Sequence, residues 1–160
     1  MRTAEENEYL PRVGPGTPAG ELLRRYWHPV AIDLTQESPT KFVRILGEDL
    51  VLFVTPEGEA GLPNDRCAHR GASLSYGRVE ARGIACAYHG WLYDTKGNCL
   101  ETPAEPAGSS FCLTVKQKAY PVQKLAGLYW AYLGPRPAPI IPKYDVWART
   151  DGWHWLRALP

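Results

Sequence analysis

Two short segments of the chain each offer one thiol and one imidazole. Cys67 and His69 form a Cys-x-His motif, and Cys86 and His89 form a Cys-x-x-His motif. Tetrahedral zinc accepts these ligand types, but structural zinc modules usually pair Cys with Cys and His with His at close spacing. A mixed pair in each segment instead favours a binuclear iron–sulfur centre, in which two thiolates bind one iron and two imidazoles bind the other. The motifs therefore predict a [2Fe-2S] centre, with a structural zinc module as the alternative.

A glycine follows each predicted histidine ligand. Gly71 stands two residues after His69, and Gly90 stands directly after His89. Because glycine adopts backbone conformations that other residues avoid, each loop can turn sharply there. Such a turn lets backbone N–H groups point at sulfur and stabilise its negative charge.

Composition and charge exclude several classes of function. The chain has 160 residues and a formal net charge of +1, with charged residues spread along its length. No basic block predicts a nucleic-acid partner. No apolar stretch approaches the roughly 20 residues that cross a bilayer, and residues 1–8 lack the apolar core of a signal peptide. We therefore predict a cytoplasmic domain that binds neither nucleic acid nor membrane.

Two cysteines remain outside the motifs, Cys99 and Cys112. In a reducing compartment they are most simply free thiols. A bridge between them is the alternative.

Local patterns predict a mostly β fold of antiparallel sheets with a short N-terminal helix. Helical segments are predicted over residues 4–10 and 17–27, the second with Thr17 as N-cap, Pro18 at its first position and an apolar face. That face comprises Leu22, Leu23, Tyr26 and Trp27. The β-rich runs with intervening turns predict hairpins and strands over 42–54, 79–85, 93–99, 113–120 and 128–133.

The last part of the chain has a different composition. Residues 134–139 form a proline-rich stretch, and Trp147, Trp153 and Trp155 follow it. Proline-rich segments are extended, and tryptophans need a surface to pack against. Either the β domain or a further surface supplies it.

Beyond the two motifs, nearly the whole chain resembles one protein family. It is similar to the N-terminal part of the α subunit of Rieske non-haem iron aromatic-ring-hydroxylating oxygenases, in the phthalate 4,5-dioxygenase-like group. The matching stretches are RVGPGTP at 12–18, LRRYW at 23–27, LGEDL at 46–50, CAYHGW at 86–91 and AYPV at 119–122. The alternative function is that of a stand-alone Rieske ferredoxin, an electron carrier. Such ferredoxins lack the N-terminal helix and the proline-rich stretch.

The resemblance implies a domain plan and a set of partners. Residues 1–27 would be an N-terminal helical segment, 28–134 the Rieske [2Fe-2S] domain, and 135–160 a proline-rich linker and the start of a catalytic domain. A flavin and iron–sulfur reductase would deliver single electrons to the cluster. The acceptor would be a mononuclear Fe(II) in the catalytic domain, and the full-length relative would be a homotrimer.

The same resemblance implies that no catalytic residue lies in this chain. The family's mononuclear iron needs two His and one carboxylate. With His69 and His89 assigned to the cluster, only His28 and His154 remain, and they are far apart in sequence. His28 is expected to have a structural role.

The residues expected around the cluster are Tyr88, Trp91, and the backbone near Arg70 and Gly90. High-potential Rieske proteins carry an extra disulfide where this chain has Ala72 and Tyr88, and a serine where it has Trp91. Fewer hydrogen bonds to sulfur leave the reduced cluster less stabilised, so the resemblance implies a low potential.

Overall fold

A computed structural model describes residues 3–35, 37–106, 108–153 and 155–157, in which short β-strands predominate. The helices are α1 Ala4–Tyr9, α2 Pro18–Leu23 and α3 Asp145–Ala148. The strands are β1 Trp27–Ile32, β2 Thr40–Ile45, β3 Glu48–Val54, β4 Ala60–Pro63, β5 Arg78–Glu80, β6 Gly83–Ala85, β7 Leu92–Tyr93, β8 Cys99–Glu101, β9 Ala119–Tyr120, β10 Val122–Leu125 and β11 Leu128–Tyr132. Two 3₁₀ helices span Leu74–Tyr76 and Phe111–Thr114.

The strands form three antiparallel sheets, which confirms the predicted fold class. Their orders are β1-β11-β10, β2-β3-β4-β9 and β5-β6-β7-β8. The pairs of neighbouring strands in each sheet are antiparallel. The third sheet carries the Cys-x-x-His motif between β6 and β7.

Strand β3 joins two apolar clusters because its alternate side chains point to opposite faces. Leu50 and Leu52 pack in a cluster with the first sheet, whereas Val51 and Phe53 pack in a second cluster that contains both motif cysteines. All four of these β3 side chains are fully buried. The region around the predicted metal centre is therefore continuous with the core of the domain.

The second predicted helix is real but shorter than predicted. Thr17 caps it by accepting a hydrogen bond from Gly20 N at 3.2 Å, and Pro18 occupies its first turn. It ends at Leu23, because Trp27 already pairs with Tyr132 in the first sheet.

The predicted apolar face of that helix was wrong. Leu22 is 57% and Tyr26 60% exposed, and the helix instead buries Gly20. A Cβ at Gly20 would clash with the carbonyl oxygens of Val13 and Gly14, so the helix approaches the preceding segment through this glycine.

The predicted hairpins are confirmed. Strands β2 and β3 are joined by Leu46 and Gly47 alone, both with positive φ (47° and 74°), as a type I′ turn requires. Strands β5 and β6 pair as predicted, and β7 and β8 flank the turn over 93–99.

The predicted strand over 113–120 was wrong. Phe111–Thr114 form a 3₁₀ helix, and only Ala119–Tyr120 are a strand. Phe111 packs edge-on against Trp91, a tertiary contact that local propensity does not reveal.

The tryptophans near the end of the chain have different surroundings. Trp147 on α3 packs against Trp130 on β11, with ring centroids 4.9 Å apart. Trp153 and Trp155 are each 93% exposed. The proline-rich stretch is anchored, since Trp27 Nε1 donates to Pro139 O at 2.9 Å. Among the described residues, no helix has the length and apolar character needed to cross a membrane.

Candidate metal centre

The two motifs fold into loops with the same backbone hydrogen bonds. We call residues 67–72 the first ligand loop and residues 86–91 the second ligand loop. In each, the cysteine N–H donates to the carbonyl five residues later, and the glycine N–H donates back to the cysteine carbonyl. The distances are 2.9 Å for Cys67 N to Ala72 O, 2.8 Å for Gly71 N to Cys67 O, and 2.9 Å for both Cys86 N to Trp91 O and Gly90 N to Cys86 O.

The glycine of each loop has the left-handed backbone expected of it. Gly71 has φ of 70° and Gly90 has φ of 73°. An L-amino acid with a side chain is strained in this conformation. The sequence-based prediction of a sharp turn after each histidine is thus confirmed, and the two turns are nearly identical.

The loops bring the four predicted ligands together as two pairs. Cys67 and Cys86 are both buried in one apolar cluster, and their thiols are close enough to interact directly. The imidazole rings of His69 and His89 meet edge to face with centroids 4.7 Å apart. His69 is half-buried and His89 is exposed. The thiols thus lie on the protein side of the site and the imidazoles on its outer side.

Burial makes a bound cation necessary before both cysteines can be thiolates. Burial, followed by the neighbouring Cys67, raises the pKa of the Cys86 thiol, while backbone N–H groups of Tyr88 and His89 donate to its sulfur and lower that pKa. Two buried thiolates need a cation between them. In the part of the chain that the structure describes, no three His, Cys, Asp or Glu side chains are grouped closely enough to hold a single metal ion.

The surroundings of His69 lower the pKa of its imidazole. Burial, then the charges of His89 and Arg70, lower its pKa from the ordinary value of 6.5. A neutral imidazole is the form that binds a metal. The environment therefore favours the metal-binding form of this side chain.

Tyr93, on β7, contacts one of the predicted ligands, and the sequence analysis missed it. Its hydroxyl lies 3.2 Å from Cys67 Sγ, and the side chain is fully buried. Burial, then the bond to Cys67, raises the pKa of Tyr93, so the hydroxyl keeps its proton. Against a thiolate it must donate. The signal in the sequence was slight, because Tyr93 is simply an aromatic residue two positions after Trp91.

Aromatic rings surround the two imidazoles. Trp91 stacks on His69 with centroids 4.4 Å apart and planes within 6°. Tyr88 packs on His89 at 3.8 Å. Two of the residues predicted around the cluster therefore contact the imidazoles directly, whereas the side chain of Arg70 is exposed.

Two buried polar side chains support the first ligand loop, and sequence reasoning missed both. Asp65 Oδ1 accepts hydrogen bonds from Ser73 Oγ at 2.7 Å and from Ser75 N and Oγ at 3.1 and 2.6 Å. Gln117 lies far along the chain and bonds to Ala68 N and to two carbonyls before the loop. Neither residue belongs to a motif, so no local signal identified them.

The remaining cysteines and histidines lie outside this centre. Cys99 and Cys112 are free thiols, as predicted, and burial followed by the nearby Cys112 raises the pKa of Cys99 to about 11. His28 Nε2 lies 2.8 Å from Leu23 O, which is consistent with a structural role. His154 lies outside the described residues.

Comparison with known proteins identifies the family. The Rieske [2Fe-2S] domain model matches residues 26–123. The chain is 48% identical over 98% of its length to a 5,5'-dehydrodivanillate O-demethylase oxygenase subunit of Sphingobium sp., of which it covers 38%. It is 42% identical over 92% of its length to a phthalate 4,5-dioxygenase oxygenase subunit of Pseudomonas putida, of which it covers 34%.

A solved structure supports the same assignment. The oxygenase–ferredoxin complex of carbazole 1,9a-dioxygenase matches with a TM-score of 0.62 and 30% identity, over 72% of this chain and 30% of that one. The chain spans about a third of the length of the curated relatives it matches. It belongs to the Rieske [2Fe-2S] domain family, and the two relatives named above are oxygenase subunits.

Proposed function

We propose that Cys67 and Cys86 bind one iron of the [2Fe-2S] cluster and that His69 and His89 bind the other. The observation that carries this ligand set is the arrangement of the two ligand loops. Their backbones match, their thiols meet on the buried side, and their imidazoles meet on the outer side. A pairwise division of soft thiolates and borderline imidazoles is the one that a Rieske centre requires.

The protein groups around this ligand set stabilise negative charge on sulfur. The hydroxyl of Tyr93 donates to Cys67, and the backbone N–H groups of Tyr88 and His89 donate to Cys86. When bound, the cluster supplies a one-electron redox couple. Donors to its thiolates favour the more negative, reduced form, so they set the potential at which the domain accepts an electron. Tyr93 thus adds a donor that the low-potential prediction did not include.

The exposed edge of His89 provides the route for electron exchange with partners. Because the thiols are buried and this imidazole is exposed, a partner approaches the cluster from the histidine side. By analogy with its relatives, we expect a reductase or ferredoxin as donor and a mononuclear-iron catalytic domain, in a homotrimeric oxygenase, as acceptor. The complex between oxygenase and ferredoxin in carbazole 1,9a-dioxygenase supports a protein donor of this kind. The free thiols of Cys99 and Cys112 in this chain fit a cytoplasmic location.

Purification under anaerobic conditions tests this function. The protein should be red-brown and contain iron and acid-labile sulfide in equal amounts. Cys67→Ser and Cys86→Ser should each abolish the cluster, while the control Cys112→Ser should retain it because that thiol is not a ligand.

A colourless protein with stoichiometric zinc would refute the proposal and favour the structural zinc module. So would retention of the full cluster in either ligand variant. With reductase, NADH and Fe(II) supplied, this polypeptide alone should hydroxylate no substrate, since we assign it no catalytic residue.

A further inference from the structure

Gln117 lies beside the first ligand loop, and its side-chain amide forms hydrogen bonds with all the backbone groups that face it. It is 2% exposed. Its Nε2 donates to Asn64 O at 2.8 Å and to Arg66 O at 2.7 Å, and its Oε1 accepts from Ala68 N at 2.8 Å. Two carbonyls and one N–H surround the amide, so the orientation of its oxygen and nitrogen is unambiguous. The bonds hold the chain on both sides of Cys67.

The main chain of Gln117 is fixed to the other half of the site. Its N–H donates to Gly97 O at 2.7 Å, and Gly97 N donates to Asp94 O at 3.0 Å. This turn directly follows Tyr93, whose hydroxyl meets Cys67. A Cβ at Gly97 would clash with the carbonyl of Gln117, so the two segments are in close backbone contact.

The first ligand loop has little sheet pairing to hold it. It is closed by a single bridge between Arg66 and Ser73, whereas the second ligand loop lies between the paired strands β6 and β7. Gln117 connects the two, because its side chain bonds to the first loop and its backbone to the turn after β7. The relative position of the loops decides whether two thiols and two imidazoles can share one cluster.

We propose that Gln117 is a positioning residue for the cluster, which fixes the segment between Cys67 and His69 relative to the second ligand loop. The inference rests on the ligand set proposed above. Gln117 touches neither iron nor sulfur in this account and acts only through Ala68 and the two carbonyls. An amide is required, because it offers two donors and one acceptor on a single planar group.

The chain offers three informative variants. Gln117→Leu removes all three hydrogen bonds with little change in volume. Gln117→Glu keeps the acceptor for Ala68 N, and its carboxyl, which burial favours in the protonated form, donates to only one of the two carbonyls. Gln123→Leu is the matched control, because Gln123 is an exposed glutamine on β10.

Each variant is loaded with cluster, and three quantities are measured. The first is the rate of cluster release on dilution into chelator, which is measured as the loss of visible absorbance. The second is the electron paramagnetic resonance spectrum of the reduced cluster, and the third is the unfolding temperature of the cluster-free chain. We expect Gln117→Leu to release its cluster at least about tenfold faster, since each unsatisfied buried group is costly. The spectrum of Gln117→Leu should shift or broaden. Gln117→Glu should have a release rate and a spectrum between those of the wild type and Gln117→Leu, and Gln123→Leu should match the wild type in both.

The outcomes separate this inference from the function it builds on. If the wild type holds no iron–sulfur cluster, the proposed function fails first. If the wild type holds one and Gln117→Leu releases it at the same rate with the same spectrum, the positioning role is wrong even where the unfolding temperature falls. If Gln117→Leu does not fold, Gln117→Glu decides, and wild-type release and spectrum in that variant overturn the inference.

Discussion

The two ligand loops have the same backbone but are held in place by different forces. The second ligand loop directly continues β6 and β7, whose residues pair across it, as Ala85 does with Leu92. The first ligand loop follows a short strand and precedes a 3₁₀ helix, and buried polar side chains hold it. Identical turns, with glycines at φ of 70° and 73°, are therefore reached by sheet pairing in one case and by side-chain hydrogen bonds in the other.

The polar support of the first ligand loop extends into the second sheet. Glu48 on β3 is 6% exposed and accepts hydrogen bonds from Arg24, Lys118 and Tyr120. Lys118 follows Gln117, and its carbonyl accepts from Asn64 N at 2.7 Å. Support of this kind is sensitive to single substitutions, because a buried polar group that loses its partner is destabilising. The comparison predicts that the first loop is the more vulnerable of the two.

The largest effect is expected at Glu48. Glu48→Gln removes the charge that compensates the buried guanidinium of Arg24, and we expect the free energy of unfolding to fall by about 3 kcal/mol. Chemical denaturation of the cluster-free chain measures it. The exposed pair Arg149–Asp151 provides the control, because Asp151→Asn should change stability by less than about 0.5 kcal/mol. Equal effects at the two sites would contradict the proposed role of Glu48.

The same carboxylate gives the domain a pH dependence. Burial is the strongest influence and raises the pKa of Glu48, but hydrogen bonds from Lys118, Tyr120 and Arg24 hold it below its ordinary value of 4.5. A lowered pKa stabilises the fold fully above about 4.5, and this stability is lost as the pH falls through the lowered value. Glu48→Gln should lose less stability than the wild type over that acidic range.

The next effect compares two carboxylates that organise the chain near each loop. Asp65 supports the first loop from a buried position, whereas Asp94 caps the half-buried turn after the second by accepting from Lys96 N and Asn98 N. We expect Asp65→Ala to cost about 2 to 3 kcal/mol and Asp94→Ala about 1 kcal/mol. Cluster release should accelerate mainly in Asp65→Ala. Faster cluster release from Asp94→Ala than from Asp65→Ala would contradict the prediction that the first ligand loop is the more vulnerable.

The loop glycines provide a smaller, matched test. Gly71→Ala and Gly90→Ala both introduce a side chain at positive φ, which costs about 1 to 2 kcal/mol. A Cβ at Gly71 meets nothing within 4 Å, whereas one at Gly90 lies 3.3 Å from Pro103 Cγ. Gly90→Ala should therefore be the more destabilising by a few tenths of a kcal/mol in thermal unfolding. Here the second loop is the more sensitive, because its surroundings are tighter.

The smallest effect concerns the potential. Tyr93→Phe removes one hydrogen bond to Cys67 and should lower the midpoint potential by about 40 mV, which corresponds to roughly 1 kcal/mol for a one-electron couple. A redox titration measures it, and Tyr88→Phe is the control because that ring is 61% exposed and packs on His89. An unchanged potential in Tyr93→Phe would mean that its hydroxyl does not donate to the thiolate.

The parts of the site that lie in short sequence motifs could be predicted from the sequence. The four ligands and both glycines lie within 24 consecutive residues, Cys67 to Gly90, and their spacing reflects local turn geometry. Tyr93, Asp65 and Gln117 act across the fold, and Gln117 stands 49 positions from the amide it binds. Hairpins were predictable because their pairing is local. The helix through Trp27 was not, because β11, about a hundred residues later, draws Trp27 into a sheet.

In the proposed ligand set, the ligands divide between the irons by type and not by loop. If each loop instead gave its own cysteine and histidine to one iron, the two irons would be chemically equivalent. Mössbauer spectroscopy of the oxidised protein, loaded with isotopically enriched iron, distinguishes these arrangements. We predict two components of equal area, one for the iron with two thiolates and one for the iron with two imidazoles. A single component for both irons would contradict the account.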